Sequence, residues 1–430
     1  MKRKNFLMLG GSMLMIPAIP NSLKVVGVTM ANSKDTEKSV CEGTLERLGG
    51  MSLQALLDYH RNYLIETYIP NLNRGVDWKY GGFANAVIPG QEPDFGRKSM
   101  YFQARAVWVF SYLYNHISSD KRHLEAAVRG RDFLIKHALT DDFRWVSFMT
   151  RQGKPLSEPL DHYGDIYMVQ GLTELYKATN DKKDLNLAIK TAHSVMDRLV
   201  SSSYQHVDAH TSALEPGTRR LASWQHFLGA LTPLLKLERD PAIERIARYC
   251  VRVICEHHWL PEYGVLLELL DDHFKIFTFD APNWGEIPIL RSVNGWHSIQ
   301  ACWMVMNEAL RVKHLPTVRQ GIDMGFSTLE KCYVDGKGLT TLNTPEEKPG
   351  PEVDPWRALD DVLVFCLMVL EHTCDPMAIS YYNKCFEFYN SKPENFTPQC
   401  LLHVPRRFFY SIDILNRIIG NGGKISGSFG

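Results

Sequence analysis

Residues 162–201 read HYGDIYMVQGLTELYKATNDKKDLNLAIKTAHSVMDRLVS, and two kinds of helix meet in them. From Ile166 to Tyr176 apolar side chains fall on nearly every side of a helical wheel. A helix that is apolar all round has to be buried all round. Beyond Asn180-Asp181-Lys182, the residues Leu185, Ala188, Ile189, Ala192, Met196 and Leu199 form one stripe at 3.6-residue spacing, so the second helix buries a single face. An inner helix is followed, after a tight connection, by an outer one.

The alternation recurs. Tyr101 to Tyr114, Ala301 to Leu310 and Val362 to Leu370 are apolar nearly all round. One-sided stripes are made by Ile243, Ile246, Ala247, Cys250, Val253 and Ile254, and again by Leu53, Leu56, Leu57, His60 and Leu64. Helices are predicted over 51–69, 100–116, 121–139, 162–179, 183–201, 221–238, 241–257, 297–312, 315–332, 356–373, 376–390 and 403–418. Asp240-Pro241 and Asp375-Pro376 each offer an N-cap acid and a first-turn proline.

Connections near 117–120, 180–182, 239–240, 313–314 and 374–375 are very short, whereas those near 70–99, 140–160, 202–220, 258–296, 333–355 and 391–402 are long. The two kinds alternate strictly. In a closed ring of antiparallel helices this puts every long connection at one end. Phe143 to Met149 before Gly153, and Val265 to Leu270 before Phe274 to Phe279, read as strand-like runs with turns. The fold class expected is all-α, an (α/α)6 toroid (six-hairpin barrel) of about twelve helices with short β-hairpins in the long loops. An open solenoid of helix pairs is the main alternative.

With 48 basic and 48 acidic residues the formal net charge is +0, and 45% of the residues are hydrophobic. This balance leaves no electrostatic footprint for nucleic acid and no basic patch for an anionic membrane, so the expected partner is uncharged. Lys2, Arg3 and Lys4 precede an apolar run from Phe6 to Ile19, broken by Gly10, Gly11, Ser12 and Pro17. That pattern reads as an export leader, too short for a membrane span. The sequence divides into an export signal (1–30), a linker (31–50), a single barrel domain (51–420) and a flexible tail (421–430), and a periplasmic location is expected. Of nine cysteines, Cys250, Cys302, Cys366 and Cys385 fall on apolar helix faces, where a thiol acts as a small hydrophobe. Neither a disulfide framework nor a zinc site is implied, since no Cys-x-x-Cys or His-Glu-x-x-His spacing occurs.

Each long connection delivers the chain to the start of an inner helix. Those starts carry Arg105, Asp165, His226, His297, then Trp356 with Asp360 and Asp361, and finally His403 with Arg406. The positive end of a helix dipole disfavours imidazolium and keeps histidine available as a base. With Arg105 and Arg406, the same helix ends suit a developing oxyanion. Trp78, Trp145, Trp284 and Trp296 in the loops offer flat faces on which a sugar ring can stack. One histidine at a helix start is ordinarily a packing or capping residue; three at equivalent positions of a ring point to a shared cavity.

Four segments carry a resemblance. Tyr80-Gly81-Gly82-Phe83 and Tyr101-Phe102-Gln103-Ala104-Arg105-Ala106-Val107-Trp108 resemble the paired Gly-Gly-Phe and Gln-x-Arg-x-x-Trp motifs of the N-acylglucosamine 2-epimerase family, cellobiose 2-epimerase-like members included. His297-Ser298-Ile299-Gln300-Ala301-Cys302-Trp303 is similar to its His-x-x-Glu-Ala-x-Trp segment, and Leu402-His403-Val404-Pro405-Arg406 to its Phe-His-Val-Pro-Arg. The resemblance implies an (α/α)6 barrel and a sugar 2-epimerase or aldose–ketose isomerase that uses no redox cofactor. It assigns His297 and His403 as the acid/base pair and Arg105 as the residue that polarises the carbonyl oxygen. His226 is implied in ring opening or substrate orientation, with Gln300, Trp356, Arg406, Tyr101 and Asp165 also expected at the substrate. The implied partner is a small mono- or disaccharide, with no nucleic acid and no membrane once the leader is removed; a homodimer is left open.

The sequence departs from the family pattern at Gln300, where glutamate is usual, and at Leu359, where glutamine is usual. Two other functions fit the same toroid. One is a glycoside hydrolase using paired carboxylates such as Asp165 with Asp360 or Asp361. The other is a non-catalytic exported carbohydrate-binding protein, which Gln300 favours. Gly420-Asn421-Gly422-Gly423-Lys424-Ile425-Ser426 lacks the strand–loop–helix context of a phosphate loop, and His206-Val207-Asp208-Ala209-His210 reads as a polar surface loop.

Overall fold

Inner and outer helices are both present in the computed structural model, which describes residues 43–88, 90–205, 214–277, 291–348, 355–390 and 403–426, with backbone alone at 355–358 and 403. The expected leader (1–30) lies outside these residues. The helices are α1 (Leu53–Asn62), α2 (Ile69–Arg74), α3 (Met100–Tyr112), α4 (Lys121–His137), α5 (His162–Thr179), α6 (Lys182–Val200) and α7 (Leu221–Leu237). They continue as α8 (Pro241–Arg252), α9 (Gly295–Arg311), α10 (Leu315–Cys332), α11 (Pro355–His372), α12 (Pro376–Asn390) and α13 (His403–Gly420). A π-helical turn, Tyr63–Tyr68, joins α1 to α2 into one column, and two more, Leu113–Ser118 and Val253–His258, extend α3 and α8. The described residues thus hold twelve helical columns in the order expected.

The first column runs to Arg74, whereas the sequence reading ended it at 69. Proline at 70 prompts an early stop. It is tolerated because it sits in the first turn of α2, just past a π turn that has already interrupted the α-helical ladder, so its missing N–H costs little. Caps fix other starts as expected. Asp240 accepts from the backbone N–H groups of Ala242 and Ile243, and Asp375 from that of Met377.

The inner helices α3, α5, α7, α9, α11 and α13 each pack on the next. The ring closes where α13 returns to α3: the Phe409 ring stacks on Tyr112 at 4.3 Å between centroids and meets Trp108 edge-on at 5.5 Å. That contact excludes the open solenoid. Helices α4, α6, α8, α10 and α12 cover the inner helix that precedes each of them, and α1 covers α13. Burial follows the two patterns read in the sequence. On α5 every residue from His162 to Leu175 except Gln170 is buried, whereas α6 buries a stripe including Leu185, Ala188, Ala192 and Leu199.

Some of the expected hairpins have other partners. Phe148–Thr150 pairs with Arg97–Ser99 of the preceding long connection, and Leu269–Leu270 pairs with Arg219–Arg220. Val293–Asn294 pairs forward with Thr341–Leu342. Trp259–Leu260 with Val265–Leu266, and Tyr333–Val334 with Gly338–Leu339, are hairpins local to one connection, and Met149 also pairs with Pro155 across the expected turn at Gly153. The loop end is therefore stitched loop to loop, and three of the stitches end directly at the first residue of α3, α7 and α9.

Parts of the expected linker and tail carry backbone pairing. Arg47–Leu48 and Met51–Ser52 form a hairpin, Thr44 pairs with Lys424, and the Leu45 N–H donates to the Gly423 carbonyl at 2.8 Å. Backbone hydrogen bonding thus joins residues 44–45 to residues 423–424. Because Phe409 is fully buried at the closing contact, Phe409→Ala is expected to lower the unfolding free energy by about 3–5 kcal/mol, measured by urea denaturation.

Candidate active site

The site begins with backbone. Between the Val265–Leu266 and Leu269–Leu270 strands, the Glu268 carbonyl accepts from the Leu221 N–H at 2.8 Å, and its own N–H donates to the Ser292 carbonyl at 2.9 Å. These bonds tie the starts of α7 and α9 together through one residue. The Glu268 side chain is buried. One carboxylate oxygen accepts from Arg220 Nε at 2.8 Å, and the other lies 2.9 Å from His297 Nδ1. Burial pushes this carboxyl up, but His297 and Arg220 outweigh it and hold it down at about 2. A carboxylate only accepts, so Nδ1–H of His297 is the donor, and in the neutral ring the lone pair lies on Nε2.

His297 lies in the first turn of α9, where Asn294 caps the helix by accepting from the backbone N–H groups of Trp296 and His297, each at 3.1 Å. Facing it is His226 of α7, with the two rings 6.2 Å apart and nearly perpendicular. Nδ1 of His226 donates to the Ala222 carbonyl at 2.6 Å, while its buried Nε2 has no hydrogen-bond partner. Burial first, then the positive charges of Arg105 and Arg406 and the neighbouring His297, hold the His226 pKa well below the usual range. This ring stays neutral and offers an acceptor. An unmet buried acceptor costs about 1–3 kcal/mol, which a substrate hydroxyl would relieve.

Arg105 of α3 lies between two tyrosine rings, 4.0 Å from the Tyr101 centroid and 3.9 Å from that of Tyr167, and donates to the Tyr167 hydroxyl. Tyr163 and Tyr167 both meet His226 edge-on at 5.6 Å. Asp361 of α11, the helix packed beside α9, gathers four donors. It accepts from Trp296 Nε1 at 2.5 Å, Gln300 Nε2 at 2.7 Å, Trp303 Nε1 at 3.1 Å and Arg406 at 2.8 Å. Gln300 in turn accepts from Gln225 Nε2 at 2.9 Å. A glutamate at 300 would set a second carboxylate against Asp361 and meet Gln225 and Asp361 with acceptors only. The amide fits because it accepts on one side and donates on the other.

The structure links most of the expected residues by contact. His297, His226, Tyr101 and Arg105 form one chain through Tyr167, and Gln300 and Arg406 join through Asp361, whose donor Trp296 lies 5.5 Å from the His297 ring. Asp165 belongs elsewhere. Its carboxylate pairs with Arg198 of the outer helix α6 at 2.5 Å, and burial, only partly offset by Arg198, pushes its pKa up to about 6. Asp360 is likewise engaged, 3.1 Å from Arg407. Among the loop tryptophans, Trp145 is a core residue and Trp78 sits at the surface beside Arg129. Trp284 and the side chains of Trp356 and His403 lie outside the described residues; His403 opens α13.

Glu268 was missed by the sequence reading, as were Tyr167 and the four-donor role of Asp361. One signal was available: Glu268 is the lone charge in Val265-Leu266-Leu267-Glu268-Leu269-Leu270, and a charge inside an apolar run needs a buried partner. The Gly-Gly-Phe and Gln-x-Arg segments prove to be one structural clamp. The Gln103 side-chain amide accepts from the Phe83 N–H at 2.8 Å and donates to the Phe83 carbonyl at 2.7 Å. Gly82, at φ +71°, leaves no room for a Cβ, which would stand 2.6 Å from the Gln103 amide oxygen.

No family model matches the chain. A cellobiose 2-epimerase of Dictyoglomus turgidum is 24% identical over 277 residues, covering 61% of this chain and 67% of the relative. An N-acylglucosamine 2-epimerase of Bos taurus is 26% identical over 249 residues, covering 56% of each, so the match spans little more than half of that relative's length. Among solved structures, the cellobiose 2-epimerase from Bacillus thermoamylovorans superposes with a TM-score of 0.70 at 14% identity, over 84% of this chain and 99% of that one. At that identity the likeness concerns the fold.

The Gln300 geometry generates a stability test. Gln300→Glu is expected to cost about 2–3 kcal/mol at neutral pH, and adding Asp361→Asn is expected to recover part of it. Urea denaturation of the two single variants and the double variant measures the coupling.

Proposed function

We propose that this chain, which belongs to the N-acylglucosamine 2-epimerase family, is a sugar isomerase that inverts C2 of the open-chain form of a mono- or disaccharide. The observation that carries this reading is the His297–His226 pair. One imidazole is backed by a carboxylate and the other is fixed as a neutral acceptor, with Arg105 and Arg406 acting on the same spot.

The C2 proton of an aldose is weakly acidic and needs a placed base and a stabilised enediolate. In the proposed reaction, Nε2 of His297 takes the C2 proton. The C2–H electron pair moves toward C1, and negative charge collects on the carbonyl oxygen near Arg105. His403, in the first turn of α13, the next inner helix but one from α9, returns a proton to the opposite face of C2, and reversal exchanges the two roles. Nε2 of His226 accepts from a substrate hydroxyl. The tyrosine-flanked Arg105 supplies charge without needing a proton of its own. The glycoside-hydrolase alternative draws less support, because Asp165 and Asp360 are held by Arg198 and Arg407. The basic and apolar start of the sequence supports an activity exported to the periplasm.

Incubation in heavy water with N-acetylglucosamine, N-acetylmannosamine, mannose or cellobiose is expected to place deuterium at C2, read by NMR. His297→Asn and His403→Gln should each lower the exchange rate by about 10²-fold or more. If none of these sugars exchanges, the reading fails. If exchange persists in the His403 variant, the proposed two-base scheme fails.

A further inference from the structure

We propose that Glu268 is a positioning residue for His297, setting which ring nitrogen carries the proton and supplying the negative charge that accompanies the imidazolium. Only the turnover part of this role rests on the epimerase reading.

Three observations carry it. Glu268 is fixed before its side chain is considered, since its backbone bonds to Leu221 and Ser292 hold it between the starts of α7 and α9. Both of its oxygens are used: Arg220 takes one at 2.8 Å and His297 Nδ1 the other at 2.9 Å, with the carboxylate buried. The remaining charge around the histidine pair is mainly positive, from Arg105 and Arg406. On α9 itself position 300 is an amide, and Asp361 is engaged by Arg406, Gln300, Trp296 and Trp303. His258, whose ring donates to the Leu267 carbonyl at 2.8 Å, is held near 4 mainly by burial and adds no positive charge at neutral pH. Glu268 is thus the anion placed to balance a proton gained at His297 Nε2. The proton stays on the imidazole, and the carboxylate, held near 2, stays ionised throughout.

Arg220 makes the inference discriminating. In Glu268→Gln the side chain has one oxygen, and Arg220, a pure donor, claims it. The amide NH2 then faces His297 Nδ1 and drives the ring into the opposite tautomer, with its proton on Nε2, where a base needs a lone pair. Adding Arg220→Met frees the amide to turn, so that its oxygen again accepts from Nδ1–H.

The test uses 15N-histidine labelling of the full chain, with the His297 signals identified by their loss in His297→Gln. The wild type is expected to show the Nδ1–H tautomer, Glu268→Gln the Nε2–H tautomer, and Glu268→Gln/Arg220→Met a return toward the first. In the C2 exchange assay, Glu268→Gln should lose about 10²–10⁴-fold in kcat with KM little changed, and the double variant should recover part of the loss. A merely structural role would lower the unfolding midpoint and leave the tautomer as it was. An unchanged tautomer in folded Glu268→Gln overturns the proposal. Should Glu268→Gln fail to fold, Arg220→Met alone, with Glu268 retained, should keep the wild-type tautomer, and loss of that tautomer overturns the proposal. If the wild type exchanges no sugar, the family-based function fails while the tautomer measurement still decides the role of Glu268.

Discussion

Every residue of α5 from His162 to Leu175 except Gln170 is buried, so this helix needs neighbours on all sides at once. Helices α3 and α7 flank it, and α6 covers it from outside. The same requirement falls on each inner helix in turn, and a ring meets it without leaving an uncovered end. An open array of the same helices would expose two apolar flanks. The stack of Phe409 on Tyr112 is where that demand is met for the last pair. Six inner helices side by side bring their N-terminal ends around one axis.

Polar chemistry near that axis is expensive to bury, and the structure meets the cost by giving the buried carboxylates around it basic partners. Glu268 has Arg220 and His297, Asp165 has Arg198, Asp360 has Arg407, and Asp361 has Arg406 with three neutral donors. At Asp165 and Asp360 the arginine offsets burial only in part, and these two carboxyls are pushed up to about 6 and about 7. The arrangement leaves His226 Nε2 as a buried acceptor still unmet. Rigid surroundings and an unsatisfied buried acceptor are conditions under which a ligand hydroxyl is recognised by geometry.

Helix positions were legible in the sequence because burial writes itself into periodicity. The inner and outer patterns of residues 162–201 recur in the structure nearly residue for residue. Chain direction around the ring was legible from connection lengths. The loop pairings were not, since two-residue strands such as Arg219–Arg220 and Leu269–Leu270 carry no period to read. At the site, His297, His226 and Arg105 could be picked out by type and place. The partners of Glu268 could not, because Arg220 and His297 lie 48 and 29 residues away along the chain. Gln300 stood out as a departure, yet its meaning depends on Gln225 and Asp361, which only the fold brings beside it.

The pairing of Thr44 with Lys424, and of Leu45 with Gly423, sets the two ends of the circuit side by side. In a ring the inner helices have equivalent neighbours, so sequence order decides only where the seam falls. The pairing across this seam is short, and the burial it joins is continuous through α13 and α1. A circularly permuted chain, joined across Thr44 and Lys424 and opened at the short α5–α6 connection, would keep every inner contact while moving the seam to a different place on the barrel.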